Sequence, residues 1–595
     1  MSSTENLTKS KTRLRTQILT SKCVFFSNPL VCLIFIAGIG LLIYSNTFHV
    51  PFQFDDKSYI FDNPVIKNIQ YFFNPSLAKK YDTSYYTHAF YFDSFKNRFI
   101  GNLTFAINYK INGNNTTGYH AINISIHIIN AILVYFLLSI SFKTPILKMS
   151  SFGENANLIA LSASLLFISH PIQTQAVTYI TQRFASMATL FYLVTLITYI
   201  KCRISRTYVQ RFLLFTLSFI SAICAMKSKE IAFTLPLVMT LYEFTFFKEK
   251  LSNRLLYLMP FLLTMLIIPL SLVDIDKPAG HLLEAVERAT RAESTMSRWT
   301  YLFTELRVSV TYLRLLLLPI NQNLDYDYPI YSSFLNPDVY LSFFLLVSVF
   351  VIAAYCFADS RNRRHELRVI AFGIFWFFIT FSVESSFIPT QDVIFEHRVY
   401  LPSIGFFISI AIALFSASKK LAIKWPIAEK ILLPMLILLL TLFSAATYAR
   451  NGTWRNELTL WEDVTEKSPN KARGFNELGR VYYQKGNLDK AEELYERALK
   501  IDPGYQDAHN NLGLVYMKDL NLMDQAVGHF EAILRTNSQH VEAHFNLGLI
   551  YLERGLLISA RREFETVLQI NPFFDQAATF IIYLSSIDQT SRLSQ

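Results

Sequence analysis

Long apolar runs are the feature that most restricts the fold of this chain of 595 residues. Runs close to the roughly 20 residues that a helix needs to cross a bilayer recur from residue 28 to residue 448 and then stop. The chain is 52% hydrophobic and only 17% charged, which is too apolar for a soluble multidomain protein. We therefore expect an all-α fold, in which a cytoplasmic segment 1–27 and a polytopic membrane domain 28–450 precede a soluble domain 451–595.

The positions of lysine and arginine predict the topology. Basic clusters precede the first span and fall at every second loop, as expected for cytoplasmic loops, so the net charge of +10 gives no reason to expect a nucleic-acid partner. We expect an uncleaved first span and spans near 28–45, 119–141, 155–169, 184–200, 210–226, 231–247, 255–272, 337–357, 369–388, 399–417 and 430–448.

One further apolar stretch, residues 298–319, carries Glu305, Arg307 and Arg314. If it crossed the membrane, eight later basic residues would face outward, so we expect a helix along the outer interface. This gives about eleven transmembrane helices, external loops 46–118 and 273–336, and a C-terminal domain outside the cytoplasm. The five cysteines show no metal-ligand spacing and predict no disulfide framework.

The C-terminal domain has an internal repeat. Leu-Gly pairs followed by tyrosine recur at residues 478, 512 and 547, at intervals of 34 and 35 residues, which is the tetratricopeptide (TPR) period. Small and large residues follow at the positions where paired helices interlock, and Trp461 and the segment 576–587 are expected in flanking helices. We predict a solenoid of about three to four repeats with a concave face for a partner.

Two adjacent carboxylates, Asp55 and Asp56, follow the first expected span. Acids beside hydrocarbon are costly unless they face a polar cavity or a partner, so the pair predicts a functional site. The alternative is a turn in which the aspartates bind the backbone as the chain leaves the membrane. Consecutive side chains point in different directions, so the two acids are expected to divide the work.

Other polar residues are concentrated in the segments expected outside. Arg183 and Arg398 lie at the outer ends of spans, against the positive-inside bias, and a fixed guanidinium at headgroup depth favours phosphate. Plainer alternatives stay open. His120 and His127 could bridge neighbouring helices. An ion pair or a membrane anchor would explain Lys229-Glu230. Asp325 and Asp327 are expected to shape a loop.

Several short motifs occur in a fixed order. They are Phe54-Asp55-Asp56, residues 99–127 (FIGNLTFAINYKINGNNTTGYHAINISIH), residues 170–177 (HPIQTQAV), Lys229-Glu230 and residues 396–405 (EHRVYLPSIG). In this order, with TPR repeats after them, the chain resembles the transmembrane and tetratricopeptide repeat family. These are membrane O-mannosyltransferases of the GT-C type, and this chain looks like a bacterial relative. The resemblance covers nearly the whole chain.

The resemblance implies an enzyme that uses a polyprenyl-phosphate sugar, with the acidic first external loop at the reaction centre. By similarity to related acidic pairs, Asp55 is expected to be the base and Asp56 to position the acceptor or the loop. The candidates for the donor phosphate are Arg183, Lys229 and Arg398. The candidates for binding sugar or acceptor, or for ordering the site, are Arg98, His120, His170, Glu230, Glu396 and His397. No cofactor is expected beyond the lipid-linked sugar donor; a divalent metal shared by the carboxylates is possible but is not predicted.

The expected reaction moves mannose or another hexose from a polyprenyl phosphate to an acceptor, protein serine and threonine hydroxyls, outside the cytoplasm. The TPR concave face would bind the acceptor protein, in the periplasm for a bacterial inner membrane or in the endoplasmic reticulum lumen for a eukaryote. The alternatives are a non-catalytic scaffold for an envelope complex and a transporter, although no repeated membrane halves are evident. Convergence of the acids and cations on one chamber would favour the enzyme.

Overall fold

The computed structural model describes residues 28–81, 86–150, 152–272, 296–359, 365–385, 388–390, 392–518 and 522–593. Three sequence expectations concern residues outside this set: the cytoplasmic segment 1–27, loop residues 273–295 and the arginines at 361, 363 and 364. The chain forms two compact units. The membrane unit comprises Met1–Gln322 and Tyr328–Arg455, and the repeat unit comprises Asn323–Asp327 and Asn456–Gln595.

The described part of the membrane unit is helical, as expected. Its α-helices are α1 (Pro29–Ile43), α2 (Gln70–Phe73), α3 (Tyr86–Asn97), α4 (Phe99–Asn112), α5 (Thr116–Ser141), α6 (Ala156–Ser169), α7 (Thr174–Thr178), α8 (Arg183–Ile204), α9 (Tyr208–Met226), α10 (Leu235–Phe246), α11 (Leu251–Thr264), α12 (Ile267–Leu272), α13 (Arg298–Leu317), α14 (Pro337–Asp359), α15 (Glu366–Phe381), α16 (Pro402–Ala422) and α17 (Ala428–Thr453).

Among the described residues, seven helices are long and apolar enough to cross a membrane, or eight if the bent pair around His170 forms one span. A helix forms at each of the eleven predicted spans, but α1, α10 and α15 have only 15, 12 and 16 residues. The polytopic membrane architecture is confirmed, and the count of eleven crossings stays a prediction. The stretch 298–319 forms α13 and is not among the candidate spans.

The interior of the membrane unit is built on α5. This helix begins at Asn115, whose side chain accepts a hydrogen bond from the backbone N–H of Thr117 and so satisfies one of the unpaired donors at the helix start. Helix α5 packs against α6 and α8, and most of its polar side chains are buried between them. Buried polar groups require partners, so this part of the membrane unit is held by hydrogen bonds as well as by apolar packing.

A break at His170-Pro171 directly follows the predicted span 155–169. Proline clashes with a helical conformation of the residue before it, and His170 is accordingly extended, with φ −75° and ψ 130°. The helix pair on the two sides of the break is bent by 54°. Beyond it the chain forms α7 and a short turn before α8, so the segment 170–183, expected as a simple external loop, is buried and helical.

The repeat unit consists of helices joined by short turns. They are α18 (Glu457–Lys467), α19 (Ala472–Gln484), α20 (Leu488–Ile501), α21 (Gln506–Tyr516), α22 (Met523–Thr536), α23 (Val541–Glu553), α24 (Leu557–Ile570) and α25 (Asp575–Leu593). The predicted solenoid is confirmed, including helices at Trp461 and at 576–587. The separate segment Asn323–Asp327 joins this unit through Asp325, whose buried carboxylate binds Arg473 at 2.6 and 2.7 Å and Lys471 at 2.7 Å.

The repeated glycines explain why the helix pairs approach so closely. A Cβ atom added at Gly479 would lie 2.7 Å from the ring of Tyr495, and one at Gly548 would lie 2.6 Å from the ring of Phe564. Gly513 meets Phe530 in the same way. Each repeat therefore uses the missing side chain of one helix to admit an aromatic ring from the next.

We expect Gly548→Ala to destabilise the third repeat by about 1–3 kcal/mol, because the added methyl group overpacks against Phe564. Hydrogen exchange of the full-length protein in detergent should then become faster in α23 and α24. The matched control is Gly528→Ala in α22, where a Cβ has open space, so exchange should stay unchanged or slow. Equal behaviour of the two variants would contradict the packing argument.

Candidate active site

The acid pair lies in a strained turn after α1. Phe54 has φ +48°, a backbone conformation that residues other than glycine seldom adopt. The next residues form a π-helical turn, Lys57–Phe61, in which the backbone N–H of Tyr59 donates to the carbonyl of Asp55 at 2.8 Å. Strained residues and π-helical turns cluster at functional sites, so the local backbone supports a site at this loop.

Asp56 is buried and fixes the loop to the segment after the helix break. Its Oδ1 accepts hydrogen bonds from the backbone N–H of Thr181, at 2.7 Å, and from the Thr181 hydroxyl, while its Oδ2 accepts from the backbone N–H of Gln53 at 3.1 Å. Burial raises the pKa of Asp56 to about 7, and these hydrogen bonds oppose the shift. Asp56 therefore links its own loop to the segment around Thr181, as expected for a residue predicted to order the loop.

Asp55 is the more exposed of the two acids, being half-buried. Its backbone N–H donates to the hydroxyl of Tyr179 at 3.0 Å, and the ring of Phe54 lies 6.3 Å from the same tyrosine ring. The two carboxylates therefore have different surroundings, as expected for consecutive residues. Asp56 binds the protein interior, whereas Tyr179 holds Asp55 through both its backbone N–H and its side chain.

A salt bridge follows next to this loop. The Arg98 guanidinium binds Glu230 through two hydrogen bonds, of 3.0 and 3.2 Å, and Tyr59 from the π-helical turn is hydrogen bonded to Arg98. Although burial of the carboxyl opposes it, the Arg98 charge lowers the pKa of Glu230. Tyr59 thus connects the loop of the acid pair to the Arg98–Glu230 pair.

Two further cations lie close to this pair. Lys229 donates to Glu384 at 2.8 Å, with the two side chains only 9% and 17% exposed. The Arg398 guanidinium donates to the carbonyls of Val393 and Asp392 and to the Thr390 hydroxyl, at 2.7–3.0 Å. These contacts use three of its five N–H groups.

His397 lies close enough to Lys229, Arg398 and Arg98 for all three positive charges to act on its ring. Its pKa falls well below the ordinary value, first because it is buried and then because Lys229, Arg398 and Arg98 are nearby. Its backbone N–H donates to the side chain of Gln175 at 2.7 Å, and its ring stacks on Phe395. Glu396 beside it is buried and accepts from Gln322 at 2.7 Å. These two residues order the loop that presents Arg398.

The structure does not support Arg183 as a phosphate ligand. Arg183 is fully buried, and its guanidinium donates to Asn123 and Asn108, each at 2.6 Å, and to the carbonyl of Tyr119 at 3.0 Å. Its charge also lies 4.4 Å from the ring centre of Phe105. A fully buried guanidinium bound in this way joins α4, α5 and α8, which favours a structural role for Arg183 over the predicted phosphate role.

His120 and His170 are likewise structural. Nε2 of His120 donates to the carbonyl of Val50 at 2.8 Å, and Nε2 of His170 donates to the carbonyl of Leu316 at 3.2 Å. Nδ1 of His170 accepts from the N–H of Ile172, and its ring packs on Phe443. Both side chains are completely buried. The plainer alternative of bridging histidines therefore explains them, and His127 bridges in the same way to Tyr400 at 2.7 Å.

Three residues beside Arg98, Lys229 and Arg398 were not predicted as site residues. Tyr59 had no sequence signal, whereas Glu384 and Glu305 were visible as acids within apolar stretches. Glu384 was placed inside the predicted span 369–388, but α15 ends at Phe381 and leaves this residue in the following turn. In the described part of the chain, no group of three or more His, Cys, Asp or Glu side chains is arranged to hold a metal.

The fold and these residues define a class, an integral helical membrane protein that carries TPR repeats. Family models described as "TPR repeat" and "Tetratricopeptide repeat" match residues 464–519 and 511–573. The first TPR domain of human RPAP3, a solved structure, is 21% identical and covers 22% of this chain and all of that one, with a TM-score of 0.20.

Curated relatives extend the similarity to the membrane unit. Protein O-mannosyl-transferase F38B6.6 of Caenorhabditis elegans is 28% identical over 80% of this chain and 63% of its own length. Protein O-mannosyl-transferase TMTC3 of Homo sapiens is 27% identical over 82% of this chain and 53% of its own length. The resemblance to the transmembrane and tetratricopeptide repeat family is confirmed. The chain spans between half and two thirds of the length of these relatives.

We expect Arg183→Lys to lower the free energy of unfolding of the membrane unit by about 3 kcal/mol, because an ammonium cannot replace both hydrogen bonds to Asn123 and Asn108. Thermal unfolding in detergent would measure this loss. The control is Arg314→Lys, where the exposed guanidinium donates to the carbonyl of Ile320 at 3.1 Å and an ammonium can make the same contact. A stable Arg183→Lys variant with weakened binding of a lipid phosphate would restore the phosphate role.

Proposed function

We propose that this chain is a membrane glycosyltransferase of the GT-C type, which transfers a hexose from a polyprenyl-phosphate donor to protein hydroxyls outside the cytoplasm. The printed names of the relatives suggest mannose as the sugar. The observation that carries the proposal is the shared neighbourhood of Asp55, on the first external loop, and the cations Arg98, Lys229 and Arg398. The contact between Tyr59 and Arg98 joins these two parts.

The acid supplies the first half of the chemistry. The acceptor oxygen attacks the anomeric carbon and must lose its proton, and a carboxylate within hydrogen-bonding reach can take it. We assign this role to Asp55, because Asp56 is committed to Thr181 and Gln53 while Asp55 is half-buried. Asp56 holds the loop in place and so positions the base.

The cations supply the second half. As the new glycosidic bond forms, the bond from the anomeric carbon to the phosphate oxygen breaks and the leaving lipid phosphate gains negative charge. Positive groups placed in advance at that oxygen stabilise the transition state. Lys229, Arg398 and Arg98 are the candidates in this chain. The donor is itself a lipid, which suits a site at the ends of membrane helices.

The repeat unit is assigned to the acceptor. TPR solenoids present a concave face to peptides and partner proteins, so we assign binding of the acceptor protein to this face. We propose that the active site and the repeats face away from the cytoplasm, towards the periplasm for a bacterial inner membrane or the endoplasmic reticulum lumen, and the basic clusters on the alternate loops support this orientation. No resident metal or other cofactor is needed for this proposal.

We expect Asp55→Asn to reduce sugar transfer by about 100-fold or more, because a positioned general base contributes about 100- to 10,000-fold to the rate. Transfer of labelled mannose from a polyprenyl phosphate to a serine- and threonine-rich acceptor would be measured with purified protein. The control is Asp62→Asn, an exposed acid of the same loop, which should keep its activity. Normal transfer by Asp55→Asn would favour the scaffold alternative or another base.

Removal of residues 470–595 should impair use of the acceptor more than hydrolysis of the lipid donor, because the donor site lies in the membrane unit. Both reactions would be followed with the same labelled donor. Equal loss of the two activities would argue against a recruiting role for the repeats.

A further inference from the structure

A buried carboxylate on α13 has no partner of its own. Glu305 is only 2% exposed, and no donor in the described part of the chain forms a hydrogen bond of good geometry with either of its oxygens. The hydroxyls of Tyr301 and Ser385 lie beside it, but the Tyr301 hydroxyl donates to the carbonyl of Glu384 at 2.9 Å instead. A buried acid supported only by two nearby hydroxyls in poor geometry is costly, which points to a functional reason for keeping it.

Glu305 belongs to the charged neighbourhood of the proposed donor site. It lies in the electrostatic field of Arg398 and of Glu384, and Glu384 is the carboxylate that binds Lys229. Together with Arg98 and Glu230, the neighbourhood contains three cations and three carboxylates. These six groups are balanced when all three acids are ionised, and Asp55 on the adjoining loop adds a further carboxylate.

A donor phosphate disturbs this balance. A sugar linked to a prenol through phosphate is a phosphodiester, which carries one negative charge at every pH near neutrality. Its entry leaves one uncompensated negative charge in a poorly hydrated site unless an acid is neutralised, and such a charge is strongly unfavourable there. Glu230 and Glu384 are paired directly with Arg98 and Lys229, whereas Glu305 forms no such ion pair in the described part of the chain.

We propose that Glu305 adjusts the charge of the donor site, being ionised beside Arg398 when the site is empty and taking one proton from water when the donor phosphate binds. This inference rests on the proposed function. Glu305 is a positioning residue in this scheme, since it acts on the donor through Arg398. Burial raises the pKa of its carboxyl to about 7, although Arg398 opposes the shift, so the proton is available near neutral pH.

The groups that face Glu305 come from several elements. They are Tyr301 and Tyr312 on α13, Tyr328, Glu384 and Ser385 after α15, and Arg398. Burial raises the pKa of Tyr328 to about 12, and those of Tyr301 and Tyr312 also rise above the ordinary value. None of these tyrosines titrates between pH 6 and pH 8.5. Glu305 is thus the group in this set expected to change its charge in that range.

The test is proton uptake by the intact protein on binding a short-chain mannosyl-phosphoryl-prenol, whose own charge is constant. Calorimetry in two buffers of different ionisation enthalpy at pH 7.5 should show uptake of a substantial fraction of one proton. The dissociation constant should rise by up to about tenfold per pH unit above pH 7. Binding without proton uptake overturns this inference and leaves the proposed function standing, whereas absence of binding overturns both.

Variants separate charge from structure. Glu305→Gln mimics the protonated acid, so its affinity should lose the part of the pH dependence that Glu305 causes and be about tenfold tighter than that of the unchanged protein at pH 8.5. Glu305→Asp should restore the pH dependence, and Glu366→Gln, at the first residue of α15, should leave it unaltered. Weaker binding by Glu305→Gln at every pH would show a merely structural role. If this variant fails to fold, the calorimetry of the unchanged protein still decides the question.

Discussion

The hydrogen bonds between Asp56 and Thr181 hold together the two parts of the chain on which the site depends. One part is the loop after α1, and the other is the segment that follows the helix break at His170-Pro171. Proline forces the break, and the break brings backbone N–H groups to the end of the span, where they need acceptors. A buried carboxylate meets that need. The acid pair is therefore fixed by the same backbone irregularity that interrupts the membrane helix.

The charged residues predicted to form the site divide according to what surrounds them. Arg183 is enclosed by amide and carbonyl oxygens and by aromatic rings, which accept its hydrogen bonds without cancelling its charge. Arg98 and Lys229 are bound by carboxylates and retain some exposure. Arg398 is bound by two carbonyls and a hydroxyl, but unlike Arg183 it lies in the electrostatic field of Glu305 and Glu384. Position at the end of a span does not distinguish the two kinds of cation, because it says nothing about the acceptors that the fold supplies.

This distinction shows how far the sequence could lead. Periodicity predicted the helices and repeats because hydrophobic patterning and the Leu-Gly-Tyr recurrence are local properties. The acid pair was visible for the same reason, since carboxylates beside an apolar span are rare. The roles of His120, His170 and Arg183 depend on carbonyl and amide groups tens of residues away, which no local pattern reveals. Glu384 was missed because α15 ends several residues earlier than its hydropathy suggests, and Tyr59 because aromatic residues are abundant throughout this chain.

The backbone of Phe54 carries a further implication. A residue with a Cβ in the left-handed region stores about 1–2 kcal/mol of conformational energy, which glycine would not. The hydrogen bonds of the neighbouring aspartates keep the turn in this unfavourable conformation. If those hydrogen bonds were lost, Phe54 would return to an ordinary backbone conformation and both acids would move with it. The loop would then have two distinct conformations, one with the acids in place and one without.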